Sequence, residues 1–233
     1  MIIIHDARLP GAALRNLRKY GDCISFITSG ITSEAISGHP DIFFFPCEKK
    51  LIVAPNVPAH YLEKLHNHHI HFQIGQSPVG ADSENAASYN VVMTPRFLIH
   101  HQNRTDKIIL QQAENRQRIH VNQSFTRCSL IPLPDESFIT SDGGIAKVLQ
   151  SYSLPFLQVN PTDIFLSPYK NGFIGGCMGV YEETVFVIGS LNHYSDGKKL
   201  RCYLEDKEYQ IVELYDGPLW DGGSLFFFNS SSL

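Results

Sequence analysis

Residues 219–233 at the carboxyl end read LWDGGSLFFFNSSSL. The Asp221-Gly222-Gly223 turn precedes an apolar run from Ser224 to Phe228, which is typical of a buried strand. A buried strand needs a neighbour on each side, and the segments just before this one supply at most one. The identity of its second neighbour therefore decides the fold.

The remainder of the chain repeats one order of elements, which is strand, strand, short helix, strand. Four copies begin with apolar strands in HPDIFFFP, YNVVMTP, RCSLIPLP and DIFLSP, which end at Pro46, Pro95, Pro132 and Pro168. Successive copies start about 36 to 49 residues apart, and a period of that size indicates a repeat architecture. The fourth copy carries a hairpin-like insertion around residues 170–182.

The two ends of the chain supply the parts of a fifth copy. The amino-terminal segment offers the strand MIIIHDAR, the helix PGAALRNLRKYG and the strand CISFIT, and it lacks only an opening strand. GSLFFF at the other end is an opening strand without its remainder. We therefore predict one domain over 1–233 in which the terminal strands pair, close a ring and leave no sheet edge exposed. The predicted units are 37–75, 88–123, 126–160, 162–216, and 219–233 together with 1–29.

Composition excludes several classes of protein. The formal net charge is −4 and the sequence pI is about 6.2, so nothing favours binding to nucleic acid or to an anionic membrane. No apolar run approaches the roughly 20 residues that span a bilayer. MIIIHDARLP carries charges too early for a signal peptide. Five cysteines, an odd number, favour a reducing cytoplasm, and the sequence predicts no particular oligomeric state.

Five strand-strand-helix-strand units closed by the termini resemble the pentein fold of the guanidino-group modifying superfamily. That superfamily contains arginine and agmatine deiminases, amidinotransferases and dimethylarginine dimethylaminohydrolases, and also a ribosome anti-association initiation factor that binds without catalysis. The resemblance implies an α+β fold, an α/β-propeller of five pseudosymmetric ββαβ units. The chain looks like a catalytically divergent bacterial branch, with local motifs most similar to the dimethylarginine hydrolases.

The family's catalytic positions fall on unsuitable residues in this chain. HPDIFFFP matches a family strand at Pro40 and Asp41, but the acidic pair that follows there falls on Pro46 and Cys47. NVVMTPRFLIHHQNRTD resembles the stretch after the family's Glu-Gly-Gly-Asp motif, whose glutamate falls near Ala87.

The remaining two positions are also changed. The family's histidine falls within Arg127-Cys128-Ser129, and its nucleophilic cysteine falls at about Phe226, after the Gly222-Gly223 pair. Guanidine hydrolysis there needs a thiolate, a proton-transferring histidine and carboxylates that hold the cation. The resemblance therefore predicts loss of the family's usual chemistry.

Two other cysteines are candidate nucleophiles. Cys177 lies in GFIGGCMGV, where the glycines permit a close backbone approach to a ligand. Cys128 follows Arg127, whose guanidinium would favour the thiolate. The structural alternative for both is a small buried core residue, and the patterns place Cys23, Cys47 and Cys202 in the core.

Three acids and one arginine are candidate ligand-binding residues. Asp41, Asp142 and Asp221 could receive a cation such as a guanidinium, and Arg127 could hold a carboxylate bidentately. The structural alternatives are a helix N-cap for Asp142, a turn-shaping role for Asp221, and a shared turn role for Asp41 and Asp163. HNHHIH, residues 66–71, lacks ligands at metal spacing, so we expect neither a metal nor another cofactor.

The sequence favours a cytoplasmic pentein-fold protein without the usual Cys/His/Glu set, which binds a small guanidino- or amino-acid-like ligand at the central pole. Whether it is an enzyme is left open. One alternative is a cysteine hydrolase or amidinotransferase-like enzyme on a guanidino or amidino substrate, using Cys177 or Cys128. A second alternative is a protein-binding module, which would show a broad exposed face and no deep central pocket.

Overall fold

The computed structural model of the 233-residue chain describes residues 1–47, 50–82 and 85–229. Within these ranges, the strands are β1 Ile2–Asp6, β2 Asp22–Phe26, β3 Phe44–Cys47, β4 Lys50–Val53, β5 Phe72–Ile74, β6 Val92–Met93, β7 Phe97–His100, β8 Gln117–His120, β9 Leu130–Pro132, β10 Phe138–Thr140, β11 Phe156–Gln158, β12 Ile164–Phe165, β13 Met178–Tyr181, β14 Thr184–Val187, β15 Gln210–Glu213, β16 Leu219–Trp220 and β17 Phe226–Phe228. The helices are α1 Gly11–Leu17, α2 Pro40–Phe43, α3 Ala59–Asn67, α4 Lys107–Gln112, α5 Thr126–Ser129, α6 Gly143–Ser151 and α7 Gly197–Glu205.

Most of these strands form three-stranded sheets of one design. In each sheet the first strand is antiparallel to the middle strand, and the third strand is parallel to it. The orders are β3-β4-β5, β6-β7-β8, β9-β10-β11, β13-β14-β15 and β17-β1-β2. Parallel neighbours require a crossover connection, and in these sheets α3, α4, α6, α7 and α1 respectively provide it. The repeated order of elements predicted from the sequence is therefore present in a mixed α/β fold.

The carboxyl-terminal strand pairs with the first strand, as predicted. β17 runs antiparallel to β1, with Ile2 opposite Phe228 and Ile4 opposite Phe226. On its other edge β1 pairs in parallel with β2. The predicted closed ring of strands is wrong, because the described strands form separate sheets that are not joined edge to edge by hydrogen bonds.

The fourth unit differs from the prediction in its opening strand. The segment that begins at Asp163 forms β12, which pairs in parallel with β16 in a separate two-stranded sheet. The antiparallel partner of β14 is β13, which lies in the region interpreted as an insertion. Asp163 has a positive φ of 65° and is exposed, so it is not the structural counterpart of the buried Asp41.

The apolar faces of the helices cover the sheets. In the sequence, Ile145, Val148, Leu149 and Tyr152 recur at the spacing of one helix face, which predicts a one-sided apolar stripe. In α6, Ile145 and Leu149 are buried as this spacing predicts, but Tyr152, beyond the end of the helix, is 43% exposed. The core prediction for the cysteines holds for Cys47 and is wrong for Cys202, which is exposed on α7. Along the described residues, we find no helix with the length and apolarity needed to cross a membrane.

Candidate functional site

Five chain segments meet immediately before β3, β6, β9, β13 and β17, the strands that open the three-stranded sheets and that we call the inner strands. These segments, which we call the hub, are residues 39–41, residue 90, residues 127–128, residues 175–176 and residues 221–224. Neighbouring segments are joined by hydrogen bonds that involve the backbone: Asp41 N to Gly223 O at 3.2 Å, Asn90 Nδ2 to Asp41 O at 3.3 Å, Arg127 N to Asn90 O at 3.1 Å, Arg127 Nη1 to Gly175 O at 3.3 Å, and Ser224 N to Gly176 O at 3.0 Å. The hub therefore links residues that are almost the whole chain apart.

The Asp41 carboxylate lies at the centre of the hub. It is 0% exposed and lies in the short helix α2, all of whose residues are buried. Its Oδ2 accepts hydrogen bonds from Cys128 Sγ at 2.9 Å and from Ser224 Oγ at 3.3 Å. Its Oδ1 is buried with no hydrogen-bond partner among the described residues. A buried carboxylate oxygen without a partner is costly, so Asp41 has capacity for one more donor or cation.

The Cys128 thiol is held between a carboxylate and an amide. Besides donating to Asp41, its Sγ accepts from Asn90 Nδ2 at 3.1 Å, and Asn90 Oδ1 accepts from Cys128 N at 3.1 Å. Burial raises the pKa of this thiol well above its usual value, and the negative charges of Asp41 and Asp221 raise it further. The predicted thiolate-favouring effect of Arg127 is therefore outweighed.

Asp221 and His39 form the second acidic part of the hub. Asp221 is 0% exposed and accepts from Phe173 N at 2.8 Å and from Gly223 N at 3.1 Å. Its Oδ1 lies 3.9 Å from Nδ1 of His39, which is 1% exposed. Burial raises the pKa of the Asp221 carboxyl, and His39 opposes this rise. Neither ring nitrogen of His39 has a hydrogen-bond partner among the described residues.

A cavity of about 290 Å³ opens over this part of the hub. His39, Cys128 and Asp221 supply its polar floor. Apolar and aromatic side chains form most of the remaining wall, among them Phe125, Phe173 and Tyr169, and Asn171 adds one further polar group. Tyr169 is 56% exposed, which places it on the solvent side. This combination of apolar walls with a few converging polar groups is typical of a small-molecule site.

Arg127 extends from the hub into a different cavity. This second space measures about 200 Å³ and is lined by residues of the inner strands, including Phe45, Met93 and Phe226. Burial lowers the pKa of the Arg127 guanidinium, while the negative charge of Asp41 opposes that decrease. The predicted carboxylate-binding role of Arg127 stays a prediction, and it belongs to a cavity that Asp221 does not line.

The other two candidates lie away from the polar floor. Asp142 caps α6 by accepting from Ile145 N at 2.8 Å, and it lines a third cavity of about 560 Å³. Cys177 is buried in an apolar cluster with Ile174 and Met178, and its thiol donates to a backbone oxygen, that of Phe173, at 3.3 Å. Burial, followed by the charge of Asp221, raises the pKa of Cys177 well above its usual value. The geometry of Asp142 thus agrees with a helix N-cap, and that of Cys177 agrees with a small buried core residue.

The structure thus brings together three predicted residues, Asp41, Cys128 and Asp221. Sequence reasoning missed His39, Asn90 and Ser224, which complete the polar hub. A signal for Asn90 was present, since it stands where Asp41 stands in the preceding copy of the repeat. His39 precedes the Pro40-Asp41 pair in the quoted motif, but nothing in the sequence showed that its ring would face Asp221.

A family model described as "Family of unknown function (DUF6873)" matches residues 4–226. No curated protein sequence matches the chain.

Solved structures match nearly the whole chain. An agmatine deiminase of C. jejuni has a TM-score of 0.59 at 7% identity, over 91% of this chain and 87% of that one. A Pseudomonas aeruginosa dimethylarginine dimethylaminohydrolase in complex with citrulline has a TM-score of 0.54 at 11% identity, over 91% of both chains. An amidinotransferase of Microseira wollei from the saxitoxin pathway has a TM-score of 0.53 at 11% identity, over 91% and 87%. The chain therefore has a pentein-like fold. At sequence identities this low, the activities of these proteins cannot be assigned to this chain.

Proposed function

We propose that this chain, which belongs to the DUF6873 family, binds a small cationic ligand in the cavity above His39, Cys128 and Asp221. The ligand would be guanidino- or amino-acid-like. The observation that carries the proposal is the charge of the hub. Asp41 and Asp221 are both fully buried, and one oxygen of Asp41 has no hydrogen-bond partner within the described part of the chain. Buried carboxylates are normally paired with a cation, and the hub as described leaves room for one.

The walls of the cavity suit the same ligand. A guanidinium or ammonium group directed at Asp221 would place its apolar stem against Phe125 and Phe173. Aromatic faces also attract cations. A cavity of about 290 Å³ has the size of a small-molecule site and not of a broad docking face, so it favours ligand binding over the protein-binding alternative.

The hydrolase alternative has less support. The Cys177 thiol is in apolar surroundings, and the Cys128 thiol donates to a carboxylate that holds it protonated. Neither sulfur has a hydrogen bond to a histidine among the described contacts. A nucleophile requires the thiolate, so we propose binding without the family's usual cysteine chemistry.

We also propose that the predicted units 37–75, 88–123, 126–160, 162–216 and 219–233 with 1–29 are arranged around the hub as a five-bladed α/β-propeller. Two observations support this arrangement. The three-stranded sheets share one strand order, and the segment before each inner strand contributes hydrogen bonds to the hub. The ligand cavity would then lie at the pole of the propeller.

The test is calorimetric titration of the full chain with arginine, agmatine and methylated arginines in the presence of a chelator, with release of ammonia or amines assayed in parallel. We expect saturable binding of at least one compound without turnover. Asp221→Asn should weaken it at least tenfold, and Asp142→Asn, matched in chemistry but outside this cavity, should leave it unchanged. No binding by any of them, or equal loss in both variants, would overturn the proposal; turnover lost in Cys128→Ala would establish the enzyme alternative instead.

A further inference from the structure

Three potential metal ligands converge beside the cavity of about 290 Å³, which we call the central cavity and which His39 and Cys128 line. His39, Asp41 and Cys128 each offer one nitrogen, oxygen or sulfur atom, and these atoms all lie within 4.8 Å of one another. All three side chains are buried. They come from two segments of the chain, and Asp41 and Cys128 are 87 positions apart. No local sequence motif therefore contains all three ligands. This explains why the sequence predicted no metal.

Unsatisfied atoms point to a ligand at this position. Both nitrogens of the His39 ring and Oδ1 of Asp41 are buried without a hydrogen-bond partner among the described residues. Buried polar atoms are normally satisfied, and a group of such atoms facing one another calls for a specific explanation. A cation bound between the imidazole, the carboxylate and the sulfur would satisfy them together.

We propose that His39, Asp41 and Cys128 bind one Zn²⁺ ion. Thiolate and imidazole ligands together favour Zn²⁺ over Mg²⁺ or Ca²⁺, which prefer oxygen ligands. Three protein ligands would leave a fourth position open towards the cavity, the pattern typical of zinc sites that accept a small molecule or water.

Binding requires a small contraction and the loss of one proton. Zinc–ligand bonds of about 2.0–2.3 Å set ligand–ligand separations of roughly 3.3–3.8 Å in a tetrahedron, so a pair of ligand atoms at the 4.8 Å limit must close by about 1–1.5 Å. The Sγ–H bond of Cys128, which donates to Asp41 Oδ2, breaks. Its proton passes to solvent, and the thiolate forms the Zn–S bond. The ion enters through the cavity that His39 and Cys128 line.

Asp221 would hold the histidine in position. Its Oδ1 lies 3.9 Å from Nδ1 of His39, which leaves Nε2 as the proposed ligand atom. A carboxylate facing the distal nitrogen of a metal-bound histidine fixes the orientation of the ring and strengthens the ligand. Asp221 is itself fixed by the backbone N–H groups of Phe173 and Gly223.

The first test measures zinc on the chelator-stripped full chain by competition with a chromophoric chelator, and the metal content after dialysis. We expect one tightly bound ion per chain. Cys128→Ser and His39→Gln should each weaken binding at least tenfold. The matched control is Cys177→Ser, because Cys177 is equally buried but outside the cluster. A second control replaces His66, His68 and His69 with Gln, to remove the exposed histidine patch.

A second measurement needs no variant of the cluster. Cobalt added to the stripped wild-type chain should give thiolate-to-cobalt charge-transfer absorption, which should persist in the double variant Cys177→Ser/Cys202→Ser. Absence of this absorption, or zinc affinity that falls with the histidine patch and not with Cys128 or His39, would overturn the proposal. The calorimetric titrations with arginine, agmatine and methylated arginines are made with a chelator that removes zinc. A failure of the zinc proposal can therefore be distinguished from a failure of the cationic-ligand proposal.

Discussion

The Sγ atom of Cys128 lies 2.9 Å from Oδ2 of Asp41, although the two residues are 87 positions apart in the chain. Asn90 secures the same sulfur from the other side. The thiol is therefore a hydrogen-bond donor fixed within the hub, which lowers its reactivity.

Native-state alkylation should distinguish the cysteines. We expect iodoacetamide at pH 8 to modify exposed Cys202 rapidly and to leave Cys128 and Cys177 unmodified, because both are buried and burial raises the pKa of each thiol well above its usual value. Peptide mass spectrometry reads each site. Cys202→Ser should abolish the fast phase. Rapid labelling of Cys128 would show an accessible thiolate and contradict this account.

Gly223 is required both by its backbone angle and by its neighbour. Its φ is +63°, and a Cβ placed there would lie 2.2 Å from the Cβ of His39. Gly223→Ala should lower the free energy of unfolding by about 2 kcal/mol or more, since the left-handed conformation alone costs an L-residue about 1–2 kcal/mol. Urea denaturation gives the value.

Gly30→Ala is the matched control for that substitution. Gly30 has a φ of +71°, but among the described residues other than its two chain neighbours no atom lies within 4 Å of its added Cβ. It should therefore show the backbone cost of about 1–2 kcal/mol without the clash. Equal losses in the two variants would mean that the contact with His39 contributes nothing.

His100 should make stability depend on pH. Burial lowers its folded-state pKa to about 4, with Nε2 facing the carbonyl of Ser124 and Nδ1 facing the hydroxyl of Thr105. The unfolded chain, with a histidine pKa of about 6.5, binds a proton first as the pH falls. Stability from this group is therefore complete above about pH 6.5 and falls by about 3 kcal/mol towards pH 4. Denaturation midpoints across this range measure it.

The variant His100→Gln should flatten the profile between pH 6.5 and 4. Some slope will remain, because burial also lowers the pKa of His5. An unchanged slope in His100→Gln would assign the pH dependence to other groups.

Asp142 should matter for stability and not for the central cavity. Asp142→Ala removes the side-chain cap of α6, so we expect a loss of about 1 kcal/mol in the free energy of unfolding. Asp142→Asn, which can still cap, should lose much less. If either variant instead abolished ligand binding without changing stability, Asp142 would be part of the site as the sequence suggested.

The sequence allowed most of the fold to be predicted, because hydrophobic periodicity and turn residues act locally. The pairing of β17 with β1 was predictable because the carboxyl-terminal strand opens a repeat unit whose remaining elements are found only at the amino-terminal end. The prediction of the fourth unit was wrong because the spacing from Asp163 to Pro168 equals that from Asp41 to Pro46. The strand that follows Asp163, β12, nevertheless pairs with β16. Local pattern does not determine which of two candidate strands joins a sheet.

The site was less predictable for a different reason. Asp41, Cys128 and Asp221 were candidates because of their neighbours in sequence, but their mutual contacts depend on how distant segments pack. His39 carries no distinctive motif, and its importance arises from buried ring nitrogens that have no hydrogen-bond partner in the ranges that the structure describes. Burial and unsatisfied hydrogen bonding are properties of the folded chain, so they cannot be read from spacing.

The pairing of β1 with β17 also constrains how the protein is made. β1 and β2 leave the ribosome early, but the antiparallel neighbour of Ile4 is Phe226. At about 5–20 residues per second, β1 therefore waits on the order of ten seconds or longer with one edge uncovered. The hub closes only after residues 221–224 have been synthesised. Nascent chains are consequently the form of this protein most exposed to chaperones and to aggregation through an unpaired strand.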